Sequence, residues 1–216
     1  MDFDQFINSR KIRDLNQMVI LVGKHMEGNI CYYCTPPEQL TQINEKIRTG
    51  EEIDSVRNNL YSLAKSAINI IQIGFNAGHS SALFFDSNPT CNIVAFDLFN
   101  HAYTEPCSNY LSFNQRLKLK MVKGNTLDTL SLYETDQIMD LIHFDGGQQL
   151  EVIKNDLDKC KIFSDERTFL VIDDTNVFSI QLVIQEYLQE NKIVEIDYDK
   201  EGLKKTPLHR IFHYVF

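Results

Sequence analysis

Three acidic side chains stand at the ends of two apolar runs. Asp145 closes "MDLIHFD" (139–145), and Asp173 and Asp174 close "TFLVIDD" (168–174). Runs of this length, rich in β-branched and aromatic residues, read as buried strands. Three carboxylates delivered to one crevice repel one another unless a cation stands between them. An oxygen-only ligand set with open positions suits Mg2+, which keeps waters or takes substrate oxygens. An aspartate at a strand end also closes turns and caps helices, and that role alone would explain any one of the three. After Asp145 the chain passes through Gly146 and Gly147 to Gln148 and Gln149. The glycines clear space beside the acid, and the amides cannot accept a proton near neutral pH.

The other strand ends are read in the same way. "INIIQIG" (68–74) runs into Phe75-Asn76-Ala77-Gly78-His79-Ser80, where glycines let a ligand approach the backbone closely. The spacing lacks both G-x-G-x-x-G and GK[ST], which excludes the dinucleotide and triphosphate loops. "NIVAFD" (92–97) ends in Asp97, about twenty residues on, the position from which a carboxylate reaches ribose hydroxyls. "LKMVKG" (119–124) leads into Asn125 and Thr126, small polar groups able to meet an adenine edge. Open α/β sheets bind ligands at the C-terminal ends of their strands, and here those ends suit a nucleoside.

The elements that must position these residues alternate. Between the runs lie helical stretches, the clearest at 148–160, where Leu150, Ile153 and Leu157 recur at helical spacing. A β-α-β-α series of this kind predicts a parallel sheet with helices on both faces. The last two runs, "NKIVEIDYD" (191–199) and "LHRIFHYVF" (208–216), are joined by too short a stretch for a helical crossover and are predicted to pair antiparallel. Residues 1–67 read as helical. Thr35-Pro36-Pro37-Glu38 is a capping box with proline at the first helical position, and the helix it opens ends near Gly50. A second helix carries Ile53, Val56, Leu60 and Leu63 on one stripe. The expected organisation is an N-terminal helical cap (1–67) on an α/β domain (68–216).

"IIQIGFNAGHSS", Asp97, "KGNTLDTL", "DLIHFDGGQQLEVIKNDL" and "FLVIDDTN", in that order, resemble the class I S-adenosylmethionine-dependent methyltransferases. The resemblance covers roughly residues 68–216. It is strongest to the small-molecule O-methyltransferases of catechol and macrolide-sugar type and the cephalosporin-hydroxylase-like proteins. It implies a Rossmann-like, doubly wound, seven-stranded sheet, mainly parallel with a C-terminal antiparallel hairpin. It also implies S-adenosylmethionine as cofactor. Gly74, Asn76, Gly78, His79 and Ser80 match the family's glycine loop, and Gln72 stands where the family usually has an acid. The metal-dependent branch places its ligands at the positions of Asp145, Asp173 and Asp174, in keeping with Mg2+ there. The family's base, lysine or histidine, falls at Gln148. His101, in the loop beyond Asp97, is the preferred substitute. His143 shares the pleat face of Asp145 but lies deeper, as a hydrogen-bonded core histidine would.

The expected activity is methyl transfer to a small hydroxylated acceptor, a sugar or phenol, assisted by Mg2+. The alternative is a cofactor-binding protein with impaired catalysis that regulates or assembles. Composition fits both, with 43% hydrophobic and 24% charged residues in 216. A net charge of −9 argues against a nucleic-acid partner. No run approaches the roughly 20 apolar residues of a membrane helix. Five scattered cysteines suit a reducing, cytoplasmic setting, with Cys31 and Cys34 read as structural. A homo-oligomer is compatible with all of this.

Overall fold

The computed structural model of the chain describes residues 5–6, 9–22, 51–115 and 118–216, and in the third of these segments the side chains from residue 54. The elements are α1 (Arg10–Val22), α2 (Glu51–Ala64), β1 (Asn69–Ile73), α3 (His79–Ser87), β2 (Asn92–Asp97), α4 (Thr104–Asn114), β3 (Leu119–Lys123) and α5 (Thr126–Leu132). They continue with β4 (Leu141–Phe144), α6 (Leu150–Cys160), β5 (Phe169–Asp173), α7 (Phe178–Gln189), β6 (Ile193–Glu195), α8 (Tyr198–Glu201) and β7 (His209–Tyr214). The capping box at Thr35, the pair Cys31 and Cys34, and the side chain of Ile53 lie outside the described residues.

One seven-stranded sheet runs in the order β3-β2-β1-β4-β5-β7-β6. β1 to β5 pair in parallel, and β7 lies antiparallel between β5 and β6. This is the mainly parallel, doubly wound α/β sheet expected from the alternation of runs. The five parallel strands fall within a residue or two of their predicted spans, because each apolar run is bounded by a turn residue. The stretch 191–199 is a correction. Only Ile193–Glu195 is strand, and Asp197 then caps the single turn α8 by accepting from the Lys200 N–H. A local side-chain bond there outcompetes the ladder.

Strands buried on both faces make two cores. On one side Ile70, Leu141 and Val171 pack beneath α2 and α3, together with Ile12, Leu15 and Val19 of α1 and Val56 and Leu60 of α2. On the other, Ile71, Ile142 and Leu170 pack against Leu157 of α6 and Val183 and Ile184 of α7. The helical N-terminal segments therefore close the same core that the central strands fill.

Two of the positive-φ glycines, Gly74 and Gly202, contrast in what surrounds them. Gly74 (φ +87) follows β1, and a Cβ there would fall inside the carbonyl oxygen of Asp145. Gly202 (φ +65) ends α8 with open space around it. Alanine at 202 is expected to cost about 1 kcal/mol, only the left-handed penalty. At 74 it must also push β4 away, and at least ~3 kcal/mol is expected. At roughly 2–4 °C per kcal/mol for a domain of this size, thermal melting separates the two variants.

Candidate active site

The C-terminal ends of β1 to β4 border a crevice of about 450 Å3, with Gly74, Asn76, Asp97, Asn125, Thr126 and Asp145 in its wall. His101 stands at the crevice as well, stacked on Tyr103 with ring centroids 5.0 Å apart. Sequence reasoning did not single out Leu98, Asn100, Gln149 and Val152, which also line it. They lie in loops or at a helix start, where no periodicity marks a wall position.

Asp97 does more than face the crevice. Its Oδ2 accepts from the N–H groups of Phe75 and Asn76, both at 2.9 Å, and its Oδ1 from that of Phe99 at 2.7 Å. The carboxylate thus shapes the glycine loop on one side and holds Phe99 at φ 58 on the other. Positive φ is rare for a bulky residue and persists only where the surroundings enforce it.

Four residues predicted to touch the cofactor, Gln72, Gly78, His79 and Ser80, stand behind the crevice wall. Gln72 is buried; its Nε2 donates to the Gly74 carbonyl at 2.8 Å and its Oε1 accepts from Ser81 Oγ at 2.5 Å. It braces the loop from beneath, a task an amide performs without leaving a charge buried. His79 is buried too, with Nε2 2.7 Å from Asn16 Oδ1 of α1. Burial, with the nearby Arg57 guanidinium, lowers its pKa to about 4. Gly78 and Ser80 are buried beside it.

The acids gather at the other end of the crevice. Asp145, Asp173 and His143 each offer a ligand atom, all within 4.8 Å of one another. Asp174 turns off the strand at φ 56, and its Oδ2 accepts from Gln148 Nε2 at 2.7 Å. A space of about 20 Å3, room for one water or one ion, is bordered by Asp145, Asp156, Asp173 and Asp174. Asp145 is exposed as a residue, yet its carboxyl is set among protein atoms. That desolvation, then the charges of Asp173 and Asp174, raises its pKa well above the usual carboxylate range. Asp173 goes the other way. Desolvation opposes its charge, but His143 and His209 overcome it and hold the pKa far below the ordinary value.

Asp156 was not anticipated. It lies on the buried stripe of α6 beside Ile153, Leu157 and Cys160, and burial raises its pKa to about 6 against bonds from Thr126 and Asn155. An acid interrupting an apolar stripe is the signal that could have found it. His209, fully buried, had no such mark.

Residues 71–175 match a family model described as a methyltransferase domain. That segment runs from β1 to just past β5, and with this sheet the match supports an S-adenosylmethionine-dependent methyltransferase. No curated protein matches it. Among solved structures, TomG of Streptomyces achromogenes is an O-methyltransferase of tomaymycin synthesis, in complex with S-adenosylmethionine. It is 11% identical over 97% of this chain and 91% of its own, with a TM-score of 0.64. The O-methyltransferase of Bacillus cereus, in complex with S-adenosylhomocysteine, is 12% identical over 97% and 92%, TM-score 0.62. A TDP-rhamnose 3'-O-methyltransferase of calicheamicin biosynthesis is 16% identical over 97% and 96%, TM-score 0.62. At these identities the likeness is one of fold.

His79 gives a pH test. Its pKa falls from 6.5 in the unfolded chain to about 4 in the folded one, so the unfolded state binds the extra proton between those values. Its contribution is present above pH 6.5 and lost as pH falls toward 4. From pH 7 to 4.5 the wild type is expected to lose roughly 2–3 kcal/mol more than His79→Gln, measured by denaturant unfolding.

Proposed function

We propose that the chain is an O-methyltransferase acting on a hydroxyl of a small molecule, a sugar or phenol, with a divalent cation, Mg2+, at the acidic corner of its crevice. The observation that carries this is the meeting of Asp145 and Asp173, whose ligand atoms lie within 4.8 Å, with Asp174 bordering the same small space, beside a crevice with nucleoside-compatible walls. The residues fit a cation. Desolvation, then the charges of Asp173 and Asp174, raises the pKa of Asp145, and ligand atoms of Asp145, Asp173 and His143 lie within 4.8 Å of one another. One neighbour by fold acts on a sugar, TDP-rhamnose.

S-adenosylmethionine supplies an electrophilic methyl group, and a bound divalent cation lowers the pKa of a coordinated hydroxyl and orients it. The chain's own residues do the rest. Gly74 and Asn76 let the cofactor lie against the backbone, and Asp97, Asn125 and Thr126 serve its nucleoside end. Gln72, Gly78, His79 and Ser80 hold that wall from behind. Asp145 and Asp173 would hold the cation, with Asp174 bordering the same space. Gln148 orients Asp174 through its amide and moves no proton. His101, at the crevice with a ring able to accept one, is the candidate for taking the acceptor's proton. A second reading, cofactor binding without turnover in a regulatory or assembly role, is favoured by the amide at Gln148.

Isothermal titration should give S-adenosylmethionine a Kd below about 1 mM, weakened at least ~10-fold by Asp97→Ala, or 1.4 kcal/mol. A panel of hydroxylated acceptors should then yield methylated product that EDTA or Asp145→Asn removes. No cofactor affinity would sink the proposal. Turnover indifferent to EDTA would remove the cation, and binding without any product would favour the second reading.

A further inference from the structure

Asn59 of α2 is buried beneath the ends of β5 and β7, and one backbone unit fixes which way its amide points. Its Oδ1 accepts from the Lys204 N–H at 2.9 Å, and its Nδ2 donates to the Lys204 carbonyl at 2.7 Å. The flipped amide would set donor against donor and acceptor against acceptor. Nδ2 is therefore the atom that faces His209 Nε2 at 2.9 Å, and that ring nitrogen accepts. A neutral imidazole carries its one proton on the other nitrogen. In His209 that is Nδ1, 3.3 Å from Asp173 Oδ1, an electrostatic contact just beyond hydrogen-bond geometry. Neither atom has a hydrogen-bond partner, so each is the other's nearest polar contact that the structure records. The other carboxylate oxygen, Oδ2, accepts from His143 Nε2 at 3.0 Å.

We propose that Asn59 and His209 are positioning residues for the Asp173 carboxylate: Asn59 selects the His209 tautomer whose N–H steadies Asp173 from β7, opposite His143. Both imidazoles hold the carboxylate from within the fold, leaving its remaining lone pairs for the corner shared with Asp145. The functional half of this rests on the reading of Asp173 as a cation ligand. Stability alone would not select such a chain. Burying Asn59, His143 and His209 and most of Asp173 costs desolvation, and apolar residues of similar volume stabilise as well or better. Ligating carboxylates are themselves commonly hydrogen-bonded, and loss of such outer partners weakens metal binding ~10–100-fold. The helical N-terminal segment thus reaches the chemistry through Asn59.

The test begins with the full chain, free of metal and cofactor, in a long-range 1H–15N spectrum of the imidazole rings near pH 7.5. His209 is expected as the Nδ1–H tautomer, and Asn59→Ala should move it toward Nε2–H. Mn2+ alone, titrated by electron paramagnetic resonance, then reads the carboxylate. His209→Leu should weaken Mn2+ ~10–100-fold. His209→Asn, which can keep a donor near the Nδ1 position, should stay nearer the wild type, a distinction that a merely structural role would not produce. A wild-type Nε2–H tautomer at His209 would overturn the proposal, whatever the variants do. So would wild-type Mn2+ affinity in a folded His209→Leu. If the wild type binds no Mn2+, the cation reading fails by itself, and the ring spectrum still decides the positioning claim.

Discussion

The charge on Asp173 constrains the upper end of the sheet. Its side chain is only 14% exposed, and the imidazoles of His143 and His209 flank it, both fully buried. A carboxylate so enclosed stays ionised only where hydrogen bonds and opposite charge outweigh the desolvation. Three adjacent strands supply the arrangement. In β4, His143 pairs with Val171, which puts it on the face of β5 that also carries Asp173 two residues on. In β7, His209 pairs with Asp173 directly. The antiparallel direction of β7 is what makes this meeting possible, because it brings the first residue of that strand to the last residue of β5. A parallel β7 would start at the opposite edge, far from the acids.

The same economy governs the cofactor side. Asp97 spends its hydrogen bonds on Phe75, Asn76 and Phe99, so one side chain shapes both loops that flank the crevice. Gln72 braces the Gly74 carbonyl while Ser81 of α3 fixes the amide's orientation. The N-terminal helix α1 docks by burying Asn16 against His79 and by a bond from Tyr110 to Asp14. The crevice wall is therefore held from behind by hydrogen-bonded polar side chains. Such preorganisation is what a group-transfer site requires, since small misplacements of reacting atoms are costly in rate.

Much of this was legible in the sequence, for a physical reason. In a parallel sheet each strand delivers its last residue to one edge, so Asp97, Asn125, Asp145 and Asp173 could be placed from the ends of apolar runs alone. The antiparallel pairing of the last two strands followed from the shortness of their connection. Residues whose roles depend on partners distant in sequence were not legible. The bonds of Gln72 to Gly74 and Ser81, and of His79 to Asn16, have no mark in the sequence. His209 sits in an apolar run like any strand residue, and only the register of β7 against β5 gives it a partner. The divergence of Asp174 from Asp173 was also hidden, because the left-handed turn at 174 has no pattern beyond the tolerance of aspartate for it.

The most direct test is a crystal structure of the chain soaked with S-adenosylhomocysteine and Mn2+. The expected result is cofactor in the crevice between Gly74 and Asn125, with an anomalous peak for Mn2+ joining the carboxylates of Asp145 and Asp173. Cofactor density elsewhere, or a filled crevice with no anomalous peak among the acids at saturating Mn2+, would contradict the reading of this corner as a cation site.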